Sequence, residues 1–288
     1  MFHPSLYREI GHRHGDEAPV KFISSRDNPV FRQLLKLSDS ARHRRMEGLT
    51  LLDGLHLIRA YQLTLGRSRS LIVGESWSEN TEIKRLLAEP GIQTKVEVVV
   101  LSDALFREIS PVKTPTGIMA VILIPSPEAI PIENGESFCV LLQAIQDPGN
   151  VGSILRSAAA AGASDVYLSE GCADAWSPKT LRAAMGAHFL IRIHEQANLI
   201  QVARGFNGKI IATVLKSKRS LYQTPLIGPV AFVFGNEGAG LSNELLQAVT
   251  EKITIPMVGS TESLNAAAAA AVCFFERMRQ IKAGPCDL

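Results

Sequence analysis

The 288-residue chain has no uninterrupted apolar segment of the ~20 residues that a bilayer-spanning helix needs. Its first ten residues, Met-Phe-His-Pro-Ser-Leu-Tyr-Arg-Glu-Ile, carry no apolar core of the kind a secretory signal requires. Cysteine is scarce. The four present (Cys139, Cys172, Cys273 and Cys286) have no paired spacing, which excludes a disulfide framework or a zinc site and fits a reducing, cytoplasmic setting. Strong charge of one sign is missing too, with a formal net charge of +2. What imbalance exists sits in the first half, where residues 1–125 hold 17 Lys and Arg against 14 Asp and Glu.

What is there is mostly alternation of helices with short apolar strands, the mark of an α/β protein long enough for two domains. Residues 1–20 have no sustained period and read as a mobile leader. Residues 21–124 read as a small α/β domain, with strands near 71–73, 96–101 and 117–124. Early in it, Ser25-Arg-Asp-Asn-Pro29 supplies a helix start, and six basic residues fall between Arg26 and Arg45 (Arg26, Arg32, Lys36, Arg42, Arg44, Arg45). These make a phosphate-binding surface or a solvated helix face. Residues 125–137, with three prolines and three acids, have the composition of a linker.

From 138 to 288 the strands are longer and continuously apolar (138–145, 166–169, 189–193, 209–215, 230–234, 252–256), which predicts a mostly parallel sheet covered on both faces. Ligands of such sheets bind beyond the carboxyl ends of the strands. Three polar, glycine-containing loops fall at such ends: 146–156, 235–242 and 256–265. In the first, Asn150 is placed to cap the helix or to face a ligand, and Arg156 is the only charge between Val151 and Ala163. A lone Arg on an Ala-rich helix needs a partner such as a phosphate or carboxylate. The second has Gly235, Gly238 and Gly240 around Glu237, in the order G-x-x-G-x-G rather than the dinucleotide order G-x-G-x-x-G. The third, Ile255-Pro-Met-Val-Gly-Ser-Thr-Glu-Ser-Leu-Asn265, opens a helix on six consecutive alanines. None of the seven His and no Cys lies in these loops, which disfavours covalent hydrolysis. The only acids nearby are Asp147, Glu237 and Glu262, which disfavours metal catalysis. A transfer reaction that depends on positioning remains. The Lys216-Ser-Lys-Arg219 loop is a further basic candidate.

The stretches Asp147-Pro-Gly-Asn-Val-Gly-Ser-Ile-Leu-Arg-Ser-Ala158, Phe232-Val-Phe-Gly-Asn-Glu-Gly-Ala-Gly-Leu-Ser242 and Ile255–Asn265 resemble, in order and spacing, the three motifs of the SpoU (TrmH-like) family of RNA ribose 2′-O-methyltransferases, in the SPOUT superfamily. The likeness covers roughly 138–282. The first half resembles the L30e-like substrate-binding domain of rRNA-modifying members, through Ser25–Pro29, the basic helix to Arg45 and Thr114-Pro-Thr-Gly-Ile118. Two departures are Asp53-Gly54, where relatives usually carry Glu-Gly, and the unusually uniform alanine run.

The resemblance implies a C-terminal trefoil knot holding a bent S-adenosylmethionine, and a homodimer formed through the knotted domain with the site at its interface. It also implies structured RNA as substrate, rRNA rather than tRNA, with no metal and no membrane. By position, Gly235, Gly240, Ile255, Met257 and Leu264 would hold the cofactor. Asn150, Arg156, Glu237, Ser263 and Asn265 would form the catalytic group, and Arg26, Arg32, Arg42, Arg44 and Arg45 would contact RNA. An Arg at the position of Arg156 is proposed in that family as the base. A guanidinium pKa above ~12 suits it better to orienting a phosphate. A tRNA substrate, and an RNA-binding member without catalysis, are the rival readings.

Overall fold

The computed structural model describes residues 20–89, 92, 96–129, 137–258 and 261–283. The expected leader up to residue 19, most of the expected linker, Gly259, Ser260 and Cys286 lie outside them, while Val20, the last leader residue, begins a strand. The chain divides into two compact units, Met1–Leu123 and Ile124–Leu288.

The first unit is a five-stranded sheet in the order β1-β4-β3-β5-β2, formed by β1 (Val20–Ile23), β2 (Leu49–Asp53), β3 (Ser70–Gly74), β4 (Glu97–Leu101) and β5 (Ile118–Leu123). Strands β1, β3 and β4 run parallel, and β5 is antiparallel to both neighbours. Two of these strands have no counterpart in the sequence reading. The four residues of β1 are too few to show a period, and β2 is buried at every position and so does not alternate. Two separately noted motifs meet here: the Asp53 carboxylate accepts from Thr116 Oγ1 at 2.7 Å, and Gly54 N–H donates to Ile118 O at 3.0 Å.

The basic helix is in fact two helices, α1 (Pro29–Asp39) and α2 (Ala41–Glu47). Ser40 breaks them: its N–H closes α1 on Lys36 O, and its hydroxyl caps α2 by accepting from His43 N–H. Arg44 therefore turns back on α1, buried, with Nη1 donating to Leu37 O at 2.6 Å and Ser38 O at 2.8 Å. This corrects the sequence expectation for Arg44. A guanidinium spent on orphan helix carbonyls is not available to a phosphate. Arg26 pairs with Glu108 and Arg32 with Asp27, both at the surface, while Arg42 and Arg45 are exposed. The rest of the unit comprises α3 (Leu55–Leu65), α4 (Thr81–Leu87) and α5 (Asp103–Ile109). Phe31, Leu34 and Leu37 of α1 and Leu105, Phe106 and Ile109 of α5 close one face of the sheet over Leu51, Ile72 and Met119.

The second unit carries β6 (Phe138–Leu142), β7 (Asp165–Leu168), β8 (Arg192–His194), β9 (Lys209–Thr213), β10 (Val230–Phe234) and β11 (Glu251–Ile253). They form an all-parallel sheet in the order β11-β9-β10-β6-β7-β8. Strands β6 and β10 are central and wholly buried, as their unbroken apolar sequences demand. Helices α7 (Pro178–Ala184) and α10 (Ala266–Ala283) both pack on α6 (Pro148–Ala160), while α8 (Leu199–Gly205) and α9 (Asn243–Ala248) join a core over β9, β10 and β6. Gly152 lets α6 and α7 touch, since a Cβ there would lie 2.5 Å from that of Ala183. From α10, Phe274 inserts edge-on between Phe138 and Phe234, at 5.4 and 5.6 Å. The expected strand at 189–193 begins later than the sequence suggests. A single helical turn occupies Ala187–Phe189, and β8 is only three residues long.

At the amino end of β7 the nearly buried Asp165 accepts from Arg192 Nη2 at 2.7 Å, from Ser164 Oγ at 2.7 Å and from His194 Nε2 at 2.9 Å. Burial alone would raise its pKa. The hydrogen bonds from His194, Arg192 and Ser164 outweigh burial and hold it at about 2. A depressed carboxylate stabilises the fold above its unfolded value near ~3.9, and that stabilisation is lost as pH falls toward the folded value. Denaturant titrations should show stability declining between about pH 4 and pH 2, with a share on the order of 2 kcal/mol absent from the slope of Asp165→Asn. Equal slopes for the two proteins would contradict this assignment.

Candidate active site

The three motif loops leave the carboxyl ends of β6, β10 and β11, which the sheet order brings to one edge. In the first loop Asp147, not Asn150, caps α6: its Oδ1 accepts from Asn150 N–H at 2.8 Å, with Pro148 at the first helical position. The cap expected of Asn150 thus falls to Asp147, and the Asn150 side chain is released for longer-range bonds. Its Nδ2 donates to Glu237 Oε1 at 2.8 Å, and its Oδ1 accepts from Asn265 Nδ2 at 2.9 Å. One amide therefore joins the first loop to both others, using its donor and its acceptor ends.

Asn265 does two things at once. Its Oδ1 caps α10 by accepting from Ala267 N–H at 2.9 Å and Ala268 N–H at 3.2 Å, while its Nδ2 faces Asn150. The second loop is a tight turn. Asn236 and Gly240 exchange backbone hydrogen bonds at 3.1 and 3.0 Å, and Asn236 Oδ1 accepts from Gly238 and Ala239 N–H. Asn236 Nδ2 donates to Ala144 O at 2.8 Å, holding that residue at φ +53° in the first loop. Gln143 and Ser242 fasten the same two segments through bonds of 3.0 and 2.7 Å.

Against this scaffold lies a cavity of about 680 Å³. All five residues singled out for a ligand, Gly235, Gly240, Ile255, Met257 and Leu264, line it, as do Glu237, Ser263 and Asn265. Its walls mix the glycines at 235, 238 and 240 with apolar Leu241, Leu246 and Ala269. Asn150 stands behind the lining, one hydrogen bond away through Glu237 and Asn265. Arg156 is not part of the lining. It is exposed on α6 and has no hydrogen-bond or ion-pair partner among the described residues.

Sequence reasoning missed the wall formed by Thr213, Val214 and Leu215. The rule that found the other loops would have found this one, because these residues end β9. Among the described residues no three His, Cys, Asp or Glu side chains are grouped to hold a metal. The described thiols are pushed up by burial, Cys139 to about 11, with Cys172 and Cys273 also raised, so none is poised as a thiolate nucleophile.

Only glycine fits at 235. A Cβ there would stand 2.5 Å from the Gly240 carbonyl carbon and 2.7 Å from Leu241 N. Gly235→Ala should cost on the order of 1–3 kcal/mol in chemical denaturation, as overpacking against backbone does. An unchanged midpoint would mean that the turn gives way freely.

Comparison with known proteins agrees with this geometry. Residues 137–275 match the SpoU rRNA Methylase family and residues 28–120 an MRM3-like substrate binding domain. An uncharacterized tRNA/rRNA methyltransferase from Synechocystis is 30% identical over 273 residues, spanning 91% of this chain and 94% of that protein. The 23S rRNA (guanosine(2553)-2′-O)-methyltransferase RlmP of Bacillus subtilis is 30% identical, spanning 89% of this chain and 98% of its own length. Among solved structures, the AdoMet-bound rRNA methyltransferase from Sinorhizobium meliloti superposes with a TM-score of 0.75 at 26% identity, covering 90% of this chain and 98% of that one. With three loops tied into one pocket, and relatives matched along nearly their whole length, the chain belongs to the SpoU rRNA methylase family.

Proposed function

We propose that this protein transfers a methyl group from S-adenosylmethionine to a ribose 2′-hydroxyl of rRNA. The observation that carries the reading is the Asn265–Asn150–Glu237 chain of hydrogen bonds bordering the 680 Å³ cavity, in a chain that matches 98% of the length of a 23S rRNA 2′-O-methyltransferase. The cavity suits the cofactor. Its volume lies within the range of cofactor sites, and the glycine turn brings backbone without side-chain bulk beside an apolar wall. Gly235, Gly240, Ile255, Met257 and Leu264 would hold it. Bound there, it supplies an electrophilic methyl on a sulfonium.

The work left to the chain is placement of the 2′-oxygen. Asn150, locked at both ends of its amide, fixes Glu237 and Asn265 along the rim, and Ser263 adds a hydroxyl beside Asn265. Arg156, exposed and without a partner among the described residues, serves as a planar fork for an RNA phosphate and stabilises charge developing on the attacking strand. In the first unit, Arg42 and Arg45 are the members of the basic set best placed to take further phosphates, because Arg44 is internal and Arg26 and Arg32 already face acids. That unit, from about 21 to 124, acts as the RNA-binding domain, and residues 138–288 as the methyltransferase domain, knotted as in its SPOUT relatives. Its place of action on this reading is the cytoplasm, and the support is the likeness to a bacterial 23S rRNA methyltransferase. No described helix is long and apolar enough to cross a membrane.

The active form is a homodimer through the second unit. Supporting this, exposed Ala268, half-buried Val272 and Phe275, itself 46% exposed, form an apolar seam along α10. Phe275→Glu should shift the species seen by sedimentation velocity from dimer to monomer, and a wild-type monomer at micromolar concentration would overturn the assignment. For catalysis, Arg156→Ala and Arg156→Lys should each lower methyl transfer to rRNA at least a hundredfold while changing cofactor affinity by less than twofold. Near-normal turnover in Arg156→Lys would remove the role of the planar fork. Mapping 2′-O-methyl sites in rRNA and tRNA from a deletion strain identifies the substrate, and loss of a tRNA mark alone would replace the rRNA reading.

A further inference from the structure

The β9–β10 connection begins inside the cavity wall and is unusually well fastened for a basic loop. Thr213, Val214 and Leu215 line the cavity, and the next seven residues hold Lys216, Lys218, Arg219 and Tyr222. Val214 N–H donates to Ile253 O at 2.9 Å, and Ser217 Oγ donates to Lys252 O at 2.6 Å. Thr254 N–H donates to Arg219 O, Leu221 N–H to Thr254 O, and Thr254 Oγ1 to Leu215 O, at 2.9 to 3.1 Å. Thr254 is itself a cavity residue, so the loop is bolted to the pocket rim.

The charges on this fixed frame are not all answered. Arg219 pairs with Glu251 at 2.8 Å, whereas Lys216 and Lys218 are exposed and have no acidic partner among the described residues. Tyr222 is 56% exposed, in a turn capped by Ser220 Oγ accepting from its N–H. Lysines kept only for solubility need no such fastening. Cations on a rigid rim, followed by an open aromatic ring, are what a single RNA strand requires: charges for its phosphates and a face for a base.

We propose that this loop seats the substrate strand over the methyl-donor pocket, with Lys216 and Lys218 taking backbone phosphates and Tyr222 stacking on a base. The assignment rests on the methyltransferase reading above. It adds to Arg156 a second phosphate contact from the β9 side of the sheet, so that the strand is held from two directions across the site.

The test uses the full-length protein, an unmodified 23S rRNA transcript and S-adenosylmethionine. For K216E/K218E the transcript's Kd should rise at least tenfold, and the slope of log K against log salt should fall by about 2. Cofactor Kd by calorimetry should stay within twofold. The milder K216Q/K218Q pair, expected to weaken RNA binding threefold or more, serves where circular dichroism shows that charge reversal perturbs the fold. Tyr222→Ala should weaken transcript binding about fivefold or more, and Tyr222→Phe, which keeps the ring, should restore it. Unchanged RNA affinity and salt slope in folded lysine variants would reduce the loop to a solvated surface. Loss of cofactor affinity with RNA binding intact would mean that the lysines serve the cofactor's carboxylate instead, and would overturn the proposal. Wild-type protein binding neither probe would overturn the methyltransferase reading, and the loop's role with it.

Discussion

The carboxamide of Asn150 is the joint on which this site depends. Its neighbours in the hydrogen-bond chain, Glu237 and Asn265, lie 87 and 115 residues away in sequence, and each belongs to a different loop. A hydrogen bond of this kind contributes only about 1 kcal/mol net. What the two bonds supply is position. The parallel sheet delivers three strand ends to one edge, and the amide then fixes the loops to within the length of a side chain. Asp147 makes this possible by taking over the helix cap, because an Asn150 occupied with its own backbone could not reach across.

Arginine illustrates how a charge is either spent or kept. Arg44 satisfies the last carbonyls of α1 and is lost to any ligand, although its sequence context is indistinguishable from that of Arg42 and Arg45. Arg156 sits on a helix of small residues and remains exposed without a partner among the described residues. The helix beneath it can be packed tightly because Gly152 and the alanines leave no bulk there, and the price is a surface with few contacts to offer a long side chain. An Arg in that position is a group waiting for an anion from outside.

The two units use the same sheet logic with different results. In the first, the Asp53–Thr116 bond and the Gly54–Ile118 bond knit the ends of β2 and β5 into one closed corner. In the second, the tight glycine turn at 235–240 and the Asn265 cap of α10 both border the cavity. A corner closed by side chains suits a surface that reads the shape of a partner. An edge bordered by glycine backbone suits a small ligand.

By itself the sequence determined much of this. Unbroken apolar runs named β6, β9 and β10, the Ser25–Pro29 start named α1, and the grouping of Gly, Pro and Asn at strand ends named the three loops that build the site. These are local signals, set by pleat, helix period and turn chemistry. The short β1, the fully buried β2, the break at Ser40 and the fate of Arg44 were not legible, because each depends on a neighbour that folding brings from elsewhere. So did the exchange of roles between Asp147 and Asn150: either residue can cap a helix, and only the arrival of Glu237 and Asn265 decides which one is free. Strand order is what brings them, and strand order is a property of long-range pairing that no window of residues contains.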